Sequence, residues 1–164
     1  MGKKSATSQL AVHASSFRKT KTRNSKRTGE LSEAAFLHKA QSLGFKVCKP
    51  WGDSERYDFI LDNGQRLWRV QVKCTEQLRA RGYDIQSIYV DRKGNKIPYT
   101  TADIDVLIAR VVPCDVWYVM PVEVLANAKS LRFYPDDSCH RARFEQYREA
   151  WHLLRAKVEP KEAR

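Results

Sequence analysis

A pair of strands joined by a short turn constrains this chain more than any other segment. Tyr57, Phe59 and Leu61 lead into Asp62-Asn63-Gly64, a tight-turn signal, and residues 67–74 return as Leu-Trp-Arg-Val-Gln-Val-Lys-Cys. The spacing predicts a β-hairpin. Strand alternation puts Gln71 and Lys73 on one face of the returning strand and Val70 and Val72 on the other. The valines read as core, so a sheet has to be built around this hairpin with two long polar side chains on its opposite face.

The remaining pattern supplies the other layers. A helix is expected over 28–43, stopped by Gly44, with Phe36, Leu37, Ala40 and Leu43 as its apolar stripe. Both hairpin strands are expected to abut this helix. Residues 45–48 read as a short strand entering a loop with Pro50, Gly52 and Asp53. Residues 83–90 form another strand, ended by a basic turn over 91–96. Two continuous apolar runs, 106–112 and 116–119, are split by Pro113-Cys114-Asp115 and read as central strands buried on both faces. Residues 131–134 read as an edge strand. Pro135-Asp136-Asp137-Ser138 opens an expected last helix reaching about 157. Phe144, Tyr147, Trp151 and Leu154 form its packing stripe, and Arg141, Arg143 and Arg148 its surface. Helix, strands, helix gives an α/β sandwich with a mixed sheet. A chain of 164 residues suffices for one such domain. The expected division is a disordered basic arm at 1–28, the folded domain at 29–135, and a helical extension at 136–164 packed on it.

The formal charge of +11 is unevenly placed. Eight basic residues precede the first acid, Glu30, leaving +3 for the rest. A cationic arm suits polyanions, nucleic acid foremost. Its Arg-rich, acid-free composition also fits an organelle transit peptide. Cys48, Cys74, Cys114 and Cys139 have no CxxC spacing and no His at ligand distance in sequence, which argues against a zinc site. Cys48 and Cys74 read as buried thiols of a cytoplasmic protein. No apolar run is long enough to span a membrane.

Four polar residues stand out against this framework. Glu33 projects near the middle of the helix stripe, which is unusual for a carboxylate unless it is paired or metal-bound. Glu30 falls at the stripe's edge and reads as a first-turn acid favourable to the dipole. Asp58 lies between Tyr57 and Phe59, where an Asp is locally disfavoured in a strand. Gln71 and Lys73 share a face. Phosphodiester cleavage needs a divalent cation held by oxygen ligands and a positive donor to orient water and stabilise the transition state. Asp58 and Glu33, with the Gln71 amide and the Val72 carbonyl, are oxygen donors of the right kind, and Lys73 is the positive donor.

The ordered segments Gly-Glu-Leu-Ser-Glu at 29–33, Arg-Tyr-Asp-Phe at 56–59 and Val-Gln-Val-Lys-Cys-Thr at 70–75 resemble the PD-(D/E)XK nuclease superfamily. Within it the chain is similar to the group I intron homing endonuclease branch of cyanobacteria, which uses Gln-X-Lys and has a later Asp-Val-Trp-Tyr run, here 115–118, followed by Pro121. The resemblance covers roughly 27–135. It implies a restriction-endonuclease-like core and a catalytic set of Glu33, Asp58, Gln71 and Lys73. It also implies magnesium, or manganese in its place, and DNA as substrate. Tyr57 stands where the family's Pro is usual and Gln71 where its Glu is usual, which removes one negative ligand. Arg56, Arg69, Arg92, Lys93 and Lys96 are the expected DNA contacts, with Arg69 on the face of Gln71 and Lys73. Cutting both strands calls for a homodimer or larger assembly. The competing readings are a non-catalytic nucleic-acid-binding protein on the same fold and a Holliday-junction-resolvase-like enzyme.

Overall fold

The computed structural model describes residues 25–136 and 142–155. Helix α1 spans Ser25–Ser42, three residues longer at its start than the pattern predicts, so the expected arm boundary at 28 moves. The rest of that arm lies outside the described residues. At the other end Gly44, at φ +87°, donates its N–H to Gln41 O at 2.9 Å, and Phe45 N donates to Ala40 O at 3.1 Å. These bonds satisfy carbonyls of the last turn and send the chain straight into strand β1, Lys46–Cys48.

The predicted hairpin is β2, Phe59–Asp62, with β3, Leu67–Thr75, in the register Phe59↔Val70 to Asp62↔Leu67. Its turn is tied by Asp62 Oδ1, which accepts from Gly64 N at 2.7 Å, and by Asn63 Oδ1, which accepts from Gln65 N and Arg66 N. Then follow β4 (Leu78–Arg79), β5 (Gly82–Gln86), β6 (Ile88–Val90), β7 (Lys96–Pro98), β8 (Val106–Val111), β9 (Val116–Pro121) and β10 (Ser130–Phe133). The main sheet runs β1-β2-β3-β8-β9. Its β3–β8 pair is parallel and its other pairs are antiparallel, so it is mixed, as expected. A second sheet runs β10-β5-β4, and β6 pairs with β7 alone.

Two apolar clusters lie on the two faces of the main sheet. Phe36 and Ala40 of α1 pack with Val70, Val72, Val106, Ile108, Trp117 and Val119. Leu107, Ala109, Tyr118 and Met120 pack with Ile85, Leu131 and Phe133 of the second sheet. Burying an aromatic such as Phe36 contributes about 2–3 kcal/mol. Because α1 covers the valine face, Gln71 and Lys73 point away from the helix. Both hairpin strands abut the helix as expected, through Phe59 and Leu61 of β2 and Val70 and Val72 of β3.

Other expectations also change. Leu37 keeps 37% of its surface exposed, so the helix buries a narrower stripe than its sequence suggests. The strand expected over 83–90 is broken at Ser87, whose N–H bonds Lys129 O at 3.1 Å and whose hydroxyl bonds Ala128 O, steering β6 out of the second sheet. Strand β9 is not central but an edge. Cys48 is exposed and Cys74 half-buried, while Cys139 and Arg141 lie outside the described residues.

The last helix is absent from the described part of its range. Residues 142–155 form two short 3-10 turns, Glu145–Tyr147 and Trp151–Leu154, separated by Glu149 at φ +48°. The expected stripe is nevertheless buried at Phe144, Trp151 and Leu154. The reason is β9. Glu149 N donates to Trp117 O at 2.7 Å, and its carboxylate accepts from Trp117 N at 3.0 Å. This segment satisfies an edge that would otherwise leave strand groups open. It completes the α1-side core, with Trp151 6.2 Å from Trp117 and 6.4 Å from Phe36 between ring centres, rather than being appended to it.

Candidate active site

Asp58 sits just before β2, where its N–H bonds Val70 O at 2.8 Å and continues the hairpin ladder by one residue. That bond aims the carboxylate at the next rung. Asp58 Oδ2 accepts from Val72 N at 2.8 Å and from Gln71 Nε2 at 2.6 Å. The same Gln71 amide nitrogen reaches Val72 O at 3.3 Å. One carboxylate, one amide and one backbone carbonyl therefore meet at a single point, and Gln71 is buried there at 7% exposure. Burial, with the charge of Glu33 behind it, raises the Asp58 carboxyl above its ordinary value against the opposing Val72 N–H, Lys73 and Gln71.

Lys73 follows Gln71 on the same face. Burial lowers its ammonium, and Asp58, Cys74 and Glu33 oppose that. Its Nζ lies 5.6 Å from the centre of the Tyr99 ring, and it opens into a cleft of about 890 Å³ that also includes Thr75, Gln86, Tyr89 and Tyr99.

Glu33 comes from the other layer. It bonds Lys49 Nζ at 2.8 Å and, with Glu30, Leu37 and Phe59, lines a separate hollow of about 200 Å³. The carboxylate is therefore paired, though its charge is felt at both Asp58 and Lys73. Lys49, raised chiefly by this bond, was not singled out by the sequence. The β1–β2 register Cys48↔Ile60 is what sets it beside the start of β2, and only a correct strand pairing would have revealed it. Tyr99 was missed for the same kind of reason, since it reaches Lys73 across a long crossover.

The donor set suits a hard divalent cation. Asp58, Glu33, the Gln71 amide and the Val72 carbonyl offer oxygens, and turning the amide over exchanges a donor for an acceptor. Among the described residues no group of three or more His, Cys, Asp or Glu comes together, so a carboxylate-rich cage is not what is built here.

Of the expected DNA contacts, Arg56 is exposed and its guanidinium stacks 3.9 Å from the Tyr89 ring centre. Arg92, Lys93 and Lys96 are exposed on the β6–β7 turn. Asp91 shapes that turn, accepting from Lys93 N and Asn95 N at 2.8 Å each, and leaves the basic side chains outward. Arg69 is different. It donates to Asp105 Oδ2 at 3.2 Å, to Ala102 O at 2.7 Å and to Thr101 O at 2.7 Å, so its donors are consumed inside the fold. Its expected role on the substrate is corrected to a structural one.

With this geometry in place, comparison with known proteins is specific. A model of the PD-(D/E)XK endonuclease family matches residues 23–154. The chain belongs to the PD-(D/E)XK endonuclease family. A solved bacterial homing endonuclease, I-Ssp6803I, is similar to this endonuclease with a TM-score of 0.71 at 29% identity, over 80% of this chain and 93% of that one. The structure of MepB gives a TM-score of 0.40 at 15% identity, over 74% of this chain and 93% of that one, too distant to bear on function. No curated protein matches the sequence. The family match extends to 154, so the turns that cover β9 belong to the endonuclease fold. Nucleases of this family generally use divalent metal ions. No helix of the described residues is long and apolar enough to cross a membrane.

Proposed function

We propose that the chain is a divalent-metal-dependent DNA endonuclease that hydrolyses phosphodiester bonds at Asp58, Gln71 and Lys73, with Glu33 as the helix acid. The observation that carries this reading is the meeting of Asp58 Oδ2, the Gln71 amide and Val72 O beside the half-buried Lys73. A bound magnesium or manganese ion would neutralise charge at the phosphorus and on the departing oxygen. Asp58, Glu33, the Gln71 amide oxygen and the Val72 carbonyl are the groups to hold it. Val72 N fixes Asp58 from below, so the carboxylate need not reorganise on binding. Lys73 holds the attacking water and stabilises charge that develops on the phosphoryl oxygens. Lys49 balances Glu33, which lets two acids share a small region.

Arg56 and the turn bearing Arg92, Lys93 and Lys96 supply phosphate contacts without sequence information. A double-strand cut needs two such sites, hence a homodimer or higher oligomer. The test is plasmid cleavage with magnesium and with EDTA, beside Lys73→Ala and Asp58→Ala. Cleavage by the parent alone, and only with the metal, supports the reading. Equal activity in all three defeats it. No cleavage by any, with salt-sensitive binding retained, identifies a non-catalytic DNA-binding protein instead.

A further inference from the structure

Four side chains form a continuous row, three of them lining the cleft and the fourth, Arg56, continuing beyond it. Lys73 Nζ lies 5.6 Å from the Tyr99 ring centre, Tyr99 lies 5.5 Å from Tyr89 at an interplanar angle of 48°, and the Arg56 guanidinium lies 3.9 Å above Tyr89. Tyr99 is buried at 4% exposure and fixes the row's middle, while Tyr89 is half-buried and Arg56 exposed. The row begins at the catalytic lysine and ends two residues before Asp58, so both of its ends belong to the site.

Arg56 is unusual among the arginines near the site. Arg69, Arg110 and Arg132 each bond a carboxylate. Arg56 makes no ion pair among the described residues. It acts through space on Asp91, whose oxygens are occupied by the Lys93 and Asn95 donors. The guanidinium thus rests over the Tyr89 ring while its donors meet no carboxylate among the described residues. A planar fork held over a ring and left without an ion pair is an arrangement suited to a bidentate phosphate.

We propose that Arg56, stacked on Tyr89, which in turn packs on Tyr99, is the subsite for a backbone phosphate next to the one at Lys73, on the same nucleic-acid strand. Tyr89 and Tyr99 are positioning residues that set the distance between the two cations, and Tyr89 also offers its free edge to the intervening sugar. This rests on the DNA reading above and adds to it the place where the strand leaves the site. The two tyrosines also join the β6–β7 turn to the chemistry, since Tyr89 lies in β6 and Tyr99 just beyond β7.

The experiment uses the full chain in EDTA with a fluorescent DNA duplex, titrated with salt. Arg56→Gln is expected to weaken binding about tenfold near 50 mM salt and to reduce the slope of log K against log salt by about one. Arg56→Lys should keep the parent's slope but recover only part of the affinity, because a lysine carries the charge without the stacked plane. Tyr89→Leu should lose affinity like Arg56→Lys, and Tyr89→Phe should match the parent. Arg66→Gln is the control: Arg66 also stacks on a ring, 3.8 Å from Trp68, but bonds Asp105. Parent-like affinity and slope in Arg56→Gln, parent-like affinity in Tyr89→Leu, full recovery in Arg56→Lys, or an equal loss in Arg66→Gln would each overturn the proposal. So would a parent that does not bind the duplex. The two readings fail separately. A parent that never cuts, with binding lost in Arg56→Gln, sinks the nuclease reading and leaves the subsite. A parent that cuts, with binding unchanged in Arg56→Gln, does the reverse.

Discussion

The two ends of strand β3 carry the same kind of residue to opposite ends of satisfaction. Arg69, Gln71 and Lys73 alternate along one face, yet Arg69 is saturated and Lys73 is not. At Arg69 the guanidinium bonds Asp105 and two carbonyls, and the backbone joins in. Arg69 N donates to Asp105 Oδ2 at 2.7 Å, and Asp105 N returns to Arg69 O at 2.9 Å. Four residues further on, Lys73 rests on the face of Tyr99 with an ammonium that burial disfavours. A charge that is fully bonded inside the fold holds the sheet. A charge left under-bonded, beside a carboxylate under similar stress, is what a substrate can use. Charge and face are equal in the two cases, and only the partner differs.

The sharpest way to break this contrast is to remove Lys73. Lys73→Ala is expected to lower cleavage by about 10³-fold while leaving the urea midpoint unchanged or raised, because an unfavourably buried charge goes with it. A large loss of stability would mean that Lys73 is structural after all. Asp105→Ala should do the converse. It strands the Arg69 donors and is expected to cost about 2 kcal/mol in urea unfolding, with kcat on a plasmid within a few-fold of the parent. A hundredfold drop in kcat with normal stability would return Arg69 to the chemistry.

Titration sharpens the same difference. Burial alone would raise the Asp105 carboxyl, but its bonds from Arg69 outweigh that and hold it below its ordinary value of 3.8. A depressed carboxyl stabilises the fold above its unfolded value, and this contribution is lost as the pH falls below about 4 toward the folded value. Asp105→Asn should therefore flatten the fall in stability over that acid range, read from urea unfolding at stepped pH. Asp58 is shifted the other way, so its protonation relieves the fold. The smallest effect lies on the surface. Lys93→Gln in the β6–β7 turn should change stability by less than about 0.5 kcal/mol and reduce the salt slope of DNA binding by about one. An unchanged slope would remove the turn from the interface.

What the sequence could reveal follows from the range of each interaction. The helix, the hairpin and the shared face of Gln71 and Lys73 rest on local periodicity and an Asn-Gly turn, and the structure has all three. The partner of Arg69 is 36 residues away, and nothing near Arg69 hints at Asp105. The last helix failed for a subtler reason. Phe144, Trp151 and Leu154 are buried as a helical stripe would be, but two 3-10 turns bury the same residues while Glu149 caps β9. Spacing reports which side chains go inward and does not report how the backbone delivers them. The edge position of β9 was hidden likewise, because a strand covered by such a segment is as apolar as a central one.

The parallel pairing of β3 with β8 obliges the chain to travel from one end of the sheet back to the other. It makes that return over residues 76–105, departing just past Lys73. Both tyrosines of the stacked row lie on this passage and line the cleft beside Lys73. The proposed substrate contacts thus lie on an inserted passage, and the proposed hydrolytic groups on the rungs of the hairpin. The passage can therefore be altered without moving Asp58, Gln71 and Lys73, which the β2–β3 pairing holds in place.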